Sequence, residues 1–165
     1  MSLSYDLIAE RYDELYSSEQ LAKHRVVLSL APPVEPVLDA GCGTGMLLEA
    51  LEVYGVGLDS SKGMLQVAKR RLTGRLVDLV QADAEKMPFR SCSFAAVYSV
   101  TVLHEAPALL GEALTVLKTG GLLAATLLRK KLELLPQIAG KLENVQVFDY
   151  PELKDLAILC GKPAM

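Results

Sequence analysis

Val37-Leu-Asp-Ala-Gly-Cys-Gly-Thr-Gly45 decides how this chain folds. Val37 to Ala40 is a short apolar run that reads as a strand, and Thr44 to about Val53 has the spacing of a helix. Gly41, Gly43 and Gly45 therefore fall in a strand-to-helix turn. In doubly wound sheets ligands bind at the carboxyl ends of strands, where glycines let the backbone approach them closely. A nucleoside-containing ligand is expected at this turn. A dinucleotide site wants G-x-G-x-x-G, and the third position of that pattern holds bulky Met46 here. A phosphate-binding P-loop needs a Lys before Ser or Thr, and the turn has none.

Outward from the turn, apolar runs alternate with helical patterns. Gly55 to Leu58 is a predicted strand, and Ser61 to Leu72 a predicted helix with Met64, Leu65 and Ala68 inward. Leu76 to Gln81 and Phe94 to Ser99 are further strands, Glu105 to Lys118 a helix, and Leu122 to Leu128 a strand. Strands apolar on both faces and linked by helices imply a parallel sheet covered on both sides. In the tail, a short helix starts near Pro136, and Val145 to Tyr150 and Leu156 to Cys160 are strands with no room for a crossover helix between them. They should pair antiparallel. The expectation is an α/β, doubly wound, mostly parallel Rossmann-like sheet of seven strands, the last antiparallel.

Before the turn, Tyr5, Ile8, Ala9, Tyr12, Leu15 and Tyr16 recur on one helical face. Ser17 and Gln20 have the form of a capping box, which predicts a second helix to about Leu30, stopped by Pro32 and Pro33. The chain thus divides into helical residues 1–31 and core residues 32–165 of one compact unit.

Composition narrows the function classes. The 165 residues carry a net charge of -3, 51% hydrophobic and 22% charged residues, typical of one soluble globular domain. The mild acid excess supplies no general nucleic-acid footprint and leaves only a local basic patch open. The most apolar stretch, Gly120 to Leu128, is far shorter than the roughly 20 residues a bilayer demands. Asp6, Glu10 and Arg11 in the first dozen residues are unlike a secretory signal. Cys42, Cys92 and Cys160 contain no C-x-x-C pair, so they read as reduced thiols of a cytoplasmic protein with no metal site.

The ordered set of motifs resembles a class I S-adenosylmethionine-dependent methyltransferase, most closely the small type 11 group. Beyond the first motif, the resemblance is carried by G-V-G-L-D-S-S-K-G-M-L-Q-V-A from Gly55, A-D-A-E-K-M-P-F from Ala82, S-F-A-A-V-Y-S-V-T-V-L-H from Ser93, and L-K-T-G-G-L-L from Leu117. Y-D-L-I-A-E-R-Y-D-E-L-Y, from Tyr5, is similar to the family's lid helix.

The resemblance implies S-adenosylmethionine as cofactor and a role for each matched position. A carboxylate can accept from both ribose hydroxyls, which assigns the ribose to Asp59; the alternative is a solvated helix cap. Asp83 is similar to the residue that accepts from the adenine amine, with the Ala84 N–H offered to a ring nitrogen; an ordinary loop carboxylate is the alternative. Gly41 and Gly43 are expected under the methionine part of the cofactor, with Asp39 facing the same end and Ser99 nearby. Tyr12 is the lid residue whose ring can meet the sulfonium, core packing being the alternative for all three tyrosines. His104 is the one histidine placed to act as a general base, against a purely structural role; His24 reads as a surface residue.

Ala95 stands where many members have Asp, and Thr119 where many have Pro. No N-P-P-Y sequence follows the fourth strand, which disfavours DNA amine methylation. The tail after the fifth strand is brief, so an open acceptor site is expected. Such a site suits a macromolecular acceptor, a homodimer or an activating subunit, and a small-molecule acceptor is also open. A cofactor-binding regulatory module without catalysis is the rival reading.

Overall fold

The computed structural model describes residues 2–140 and 142–163. The chain opens with helix α1 (Ser2–Ile8), a 3-10 turn (Ala9–Arg11) and helix α2 (Tyr12–Leu30). Then come β1 (Val37–Ala40), α3 (Met46–Glu49), β2 (Gly55–Asp59), α4 (Lys62–Arg71), β3 (Val77–Gln81) and β4 (Phe94–Ser99). Helix α5 (Leu109–Val116) leads directly into β5 (Leu117–Leu128). A 3-10 segment (Arg129–Leu134), α6 (Leu135–Ala139), β6 (Val145–Phe148) and β7 (Asp155–Gly161) complete the fold.

The strands form one seven-stranded sheet in the order β3-β2-β1-β4-β5-β7-β6. Strands β1 to β5 pair in parallel, and β7 runs antiparallel between β5 and β6. The doubly wound α/β sheet with a reversed last strand is thus as expected, including the antiparallel tail pair. The order reverses between β1 and β4. The tips of β1, β2 and β4 therefore face a crevice at the switch point, where such sheets hold ligands.

Apolar layers cover both faces of the sheet. One centres on Leu38, Leu58, Val97, Leu109 and Leu123, the other on Val37, Leu48, Ala68 and Tyr98. Strand β1 is buried at all four positions, which is why its sequence shows no alternation.

Four boundaries differ from expectation. Ser17 does not start a helix, because α2 already runs from Tyr12 and the break falls earlier, at Ala9–Arg11. Helix α3 begins only at Met46, because Gly45 is left-handed at its N-cap. The expected helix from Glu105 starts at Leu109, leaving residues 100–108 as a loop over the strand tips. Strand β5 begins at Leu117, well before Leu122.

The remaining correction concerns His24, which is buried at 8% exposure instead of lying on the surface. Gln20, Lys23, His24 and Val27 follow the i, i+3, i+4, i+7 spacing of a buried helical face. Three of the four are polar, so hydropathy alone marks the wrong side of α2 as outward.

Candidate functional site

Residues from four strand ends and from the first two helices surround the crevice. The turn after β1 carries left-handed Gly43, at φ 55°, and a Cβ added there would meet nothing within 4 Å. A side chain at this position would project into empty space that the fold keeps open. Asp59 ends β2, and its Oδ2 accepts from the Gly43 N–H at 2.8 Å while Oδ1 accepts from the Ser61 N–H at 2.9 Å. These bonds orient the carboxylate toward the turn. Burial still pushes its pKa up, against those two bonds.

Gly41, Gly43, Asp59, Asp83 and Ala84 share the walls of one cavity of about 440 Å³. Tyr12 also lines it. Asp83 is oriented by accepting at 2.8 Å from the Glu85 N–H. Two expected residues stand apart from these walls. Ser99 is fully buried and donates to the Ala40 carbonyl at 2.9 Å, so it braces β4 against β1. Asp39 lines a separate recess on the far side of the glycines. Among the described residues no hydrogen bond or ion pair engages its carboxylate, and burial together with Asp59 pushes it up to about 7.

A larger cavity of about 920 Å³ lies beside the first and includes His104. Its walls include Tyr5, Tyr12 and Tyr16 from the first helices, Leu128 at the end of β5, and Arg129 and Lys130 just after it. The tyrosine rings pack on each other, with centroids 6.4 Å apart for Tyr5 and Tyr12 and 5.0 Å for Tyr12 and Tyr16. The segment after β5 lends this cavity only Arg129, Lys130 and Lys154, and the cavity opens to solvent.

Tyr5, Tyr12, Thr101 and Glu105 belong to both cavities and mark their junction. Glu105 accepts from the Tyr5 hydroxyl at 3.2 Å, and its Oε1 lies 3.5 Å from His104 Nε2. Glu105 and Thr101 were missed in the sequence. The one available signal was the His104-Glu105 dipeptide, whose second residue reads as the start of a helix.

Thr101 adopts a left-handed backbone at φ 58°, unusual for a β-branched residue. Its N–H donates to Thr126 Oγ1 at 2.9 Å, and its hydroxyl donates to Asp155 at 2.8 Å. Lys23 Nζ donates to the same hydroxyl at 3.0 Å. A buried polar network thus imposes a costly conformation at the junction.

The N-terminal helices are fastened over this crevice. Asp6 Oδ1 accepts from the Ser61 hydroxyl at 2.5 Å and from the Gly63 N–H at 2.6 Å. A Cβ at Gly63 would stand 2.9 Å from Asp6 Cα, so only glycine permits this approach. Asp13 accepts from Thr44 at 2.6 Å and pairs with Arg71.

The donor set suits an adenosyl sulfonium. The glycine floor leaves room for a ligand, two carboxylates stand at neighbouring strand ends, and the Asp39 carboxylate has no internal partner. A cation is welcome there. Among the described residues, no group of three or more metal-binding side chains occurs and no helix is long and apolar enough to cross a membrane.

Comparison with known proteins agrees with this geometry. Residues 38–125 match the type 11 family model described as "Methyltransferase domain". The demethylmenaquinone methyltransferase of Clavibacter sepedonicus is 36% identical over 134 residues, covering 73% of this chain and 55% of that protein. The chain spans about half the length of the curated relatives it matches. Among solved structures, an S-adenosyl-L-methionine-dependent methyltransferase fold from Methanococcus maripaludis superposes with a TM-score of 0.80 at 14% identity, covering 97% of this chain and 94% of the other. A chain from the complex of the Haloferax volcanii Trm112 methyltransferase activator with a methyltransferase gives 0.76 at 17% identity, covering 97% and 98%. The match over more than half of the sequence, on a sheet of this order with this glycine-floored crevice, places the chain in the class I S-adenosylmethionine-dependent methyltransferases, in the type 11 family.

Proposed function

We propose that this chain transfers a methyl group from S-adenosylmethionine to a nucleophile held in the 920 Å³ cavity. The observation that carries this is the shared wall of Tyr5, Tyr12, Thr101 and Glu105, which brings the two cavities face to face. The cofactor supplies an electrophilic methyl on a sulfonium. Asp59 holds the ribose hydroxyls, Asp83 the adenine amine and the Ala84 N–H a ring nitrogen, while Gly41 and Gly43 floor the cradle beside Asp39. Tyr12 covers the sulfonium side.

Alignment of nucleophile and methyl group can itself supply roughly 7–11 kcal/mol of the barrier, so a site without strong acid-base machinery is sufficient. For an acceptor that must lose a proton, His104 and Glu105 receive it. They lie 3.5 Å apart, and Glu105 reaches the junction while His104 stays on the acceptor side.

Residues 1–31 act as a lid in this reading, and residues 32–165 as the core. The three tyrosines and Leu128 favour an acceptor with an apolar or aromatic body. The demethylmenaquinone named for the Clavibacter relative is accordingly the first acceptor class to assay. Likeness to the chain solved with Trm112 supports an activating subunit as a partner, alongside a second copy of this chain. The cell compartment that suits three unpaired thiols is the cytoplasm.

Calorimetry with S-adenosylmethionine, S-adenosylhomocysteine and NAD tests the cofactor. Binding of both sulfur nucleosides and not NAD is expected; NAD alone would overturn the reading. Labelled methyl donor with a cell extract, fractionated by size, should then label a discrete acceptor. Tight donor binding with no labelled fraction would leave a regulatory module in its place.

A further inference from the structure

Lys23, Thr126 and Asp155 are fully buried and are absent from the walls of both large cavities. They meet Thr101, which lines both, from behind. The Thr101 hydroxyl donates to Asp155 Oδ2 at 2.8 Å and accepts from Lys23 Nζ at 3.0 Å. Its N–H donates to Thr126 Oγ1 at 2.9 Å, and Thr126 in turn donates to the same Asp155 oxygen at 2.7 Å. Every donor that Thr101 owns is thus taken up by this cluster.

Such a cluster is a poor device for stability alone. A buried ion pair can often be replaced by apolar residues of similar volume without loss, and a β-branched residue at φ 58° is strained. What the cluster supplies is direction. Left-handed Thr101 turns the chain just past the tip of β4, and Val102 then comes down on the glycine turn, so close that a Cβ on Gly41 would overlap its Cγ2. The Val102 carbonyl accepts from the Glu105 and Ala106 N–H groups at 2.9 and 3.0 Å. This tight turn returns Glu105 to the junction of the cavities, where it accepts from Tyr5. At the far end of the loop the Ala108 N–H donates at 2.7 Å to Glu85, a residue of the nucleoside cavity wall.

From this chain of contacts we propose that Lys23 and Asp155 are positioning residues for methyl transfer. They hold Thr101 in the turn that sets Glu105 at the junction, where nucleophile and methyl group meet. Both act through Thr101 and neither reaches a reactant. Helix α2 and strand β7, from opposite ends of the chain, thereby take part in the reaction without lining the site at these positions. Strain held in place by surrounding structure is a recurrent feature of active sites, because it fixes a geometry that a relaxed loop would lose. This inference rests on the proposed methyl-transfer reading.

The test separates positioning from stability. Lys23→Met combined with Asp155→Leu removes both charges, so no buried ion is stranded. This double variant should bind S-adenosylhomocysteine within about threefold of wild type, yet transfer label to the acceptor fraction of a cell extract with kcat lowered about tenfold or more and donor KM little changed. Adding Thr101→Gly should restore most of that kcat, because glycine takes the left-handed backbone without being held there. Thr126→Val, which keeps the shape and removes the acceptor of the Thr101 N–H, should show the same split and serves if the double variant does not fold. With a merely structural cluster, activity would fall only in step with the folded fraction in a melt, and glycine would not repair it. Unchanged kcat per folded protein, or a loss that Thr101→Gly leaves as it is, would overturn the positioning role while methyl transfer stands. A wild type that labels no fraction would instead bring down the methyl-transfer reading and the positioning role together.

Discussion

Lys23 Nζ lies 3.1 Å from Asp155 Oδ1, and both side chains have no exposure to solvent. The pair ties α2 to the antiparallel strand β7, 132 positions away in sequence. Glu19 adds a second carboxylate at 2.8 Å from the same ammonium. Thr101 and Thr126 each donate to Asp155 Oδ2, at 2.8 and 2.7 Å. A cation buried this deeply survives only because its partners replace its lost hydration.

Removing one member should be far worse than removing both. Lys23→Met is expected to cost about 3–5 kcal/mol, since it strands Asp155. Asp155→Leu should cost a similar amount. The double variant should recover much of that loss, because no buried charge remains. Urea unfolding of the four proteins checks this, and additive losses would show that the two residues do not act as a pair.

Asp59→Ala should weaken S-adenosylmethionine and S-adenosylhomocysteine together, by tenfold or more for a lost charge-assisted bond of about 1.5–3 kcal/mol. The fold should change less, although the Gly43 and Ser61 N–H groups lose their acceptor. Calorimetry gives the affinities directly. Unchanged affinity for both would refute the ribose contact.

The Asp39 carboxyl couples pH to both stability and binding. Its folded pKa, about 7, is above the ordinary value near 4. Protonation is therefore favoured in the folded state, and this contribution to stability is fully present below the unfolded value and lost as pH rises through about 7. Cation binding has the opposite sign, because it requires the charged form. His24, pushed down to about 4, and Cys42, pushed well up, keep one state in this window, and Asp59 is the charged neighbour that raises Asp39. Affinity for S-adenosylmethionine should thus rise from about pH 6 to about pH 8, with proton release visible as buffer-dependent heat. Asp39→Asn should flatten that profile and raise the melting temperature on the alkaline side. A flat profile in the wild type would contradict the coupling.

Gly43→Ala separates space from strain. The new methyl group meets no protein atom within 4 Å, so the stability cost is only that of a left-handed alanine, about 1–2 kcal/mol. Nucleoside binding should nevertheless collapse, since the methyl enters the cradle. A melt combined with calorimetry reads both quantities. Retained affinity would mean that no ligand lies over this glycine.

Much of the architecture was legible because it depends on local patterns. Apolar runs such as Val37 to Ala40, separated by helical spacing and glycine turns, specify a parallel sheet whatever their distant neighbours do. The order of its glycines and carboxylates, Gly41, Gly43, Asp59 and Asp83, already located one wall of the crevice. Such residues follow strand ends, and strand ends are visible in a sequence.

What the chain alone determined is the sheet and the residues at its tips. Tertiary structure alone decided which polar groups are buried together. His24 read as a surface residue of α2 and is buried there with Gln20 and Lys23, because hydropathy records the average preference of a side chain and not the partner that awaits it. Asp155 of β7, Thr101 of the loop after β4 and Asp39 of β1 supply that context from distant parts of the chain. The junction of the two larger cavities is equally non-local, since Tyr5 and Glu105 meet only when α1 closes on the loop after β4. Burial reverses the cost of a charge or an imidazole, and burial is a property of the packed chain.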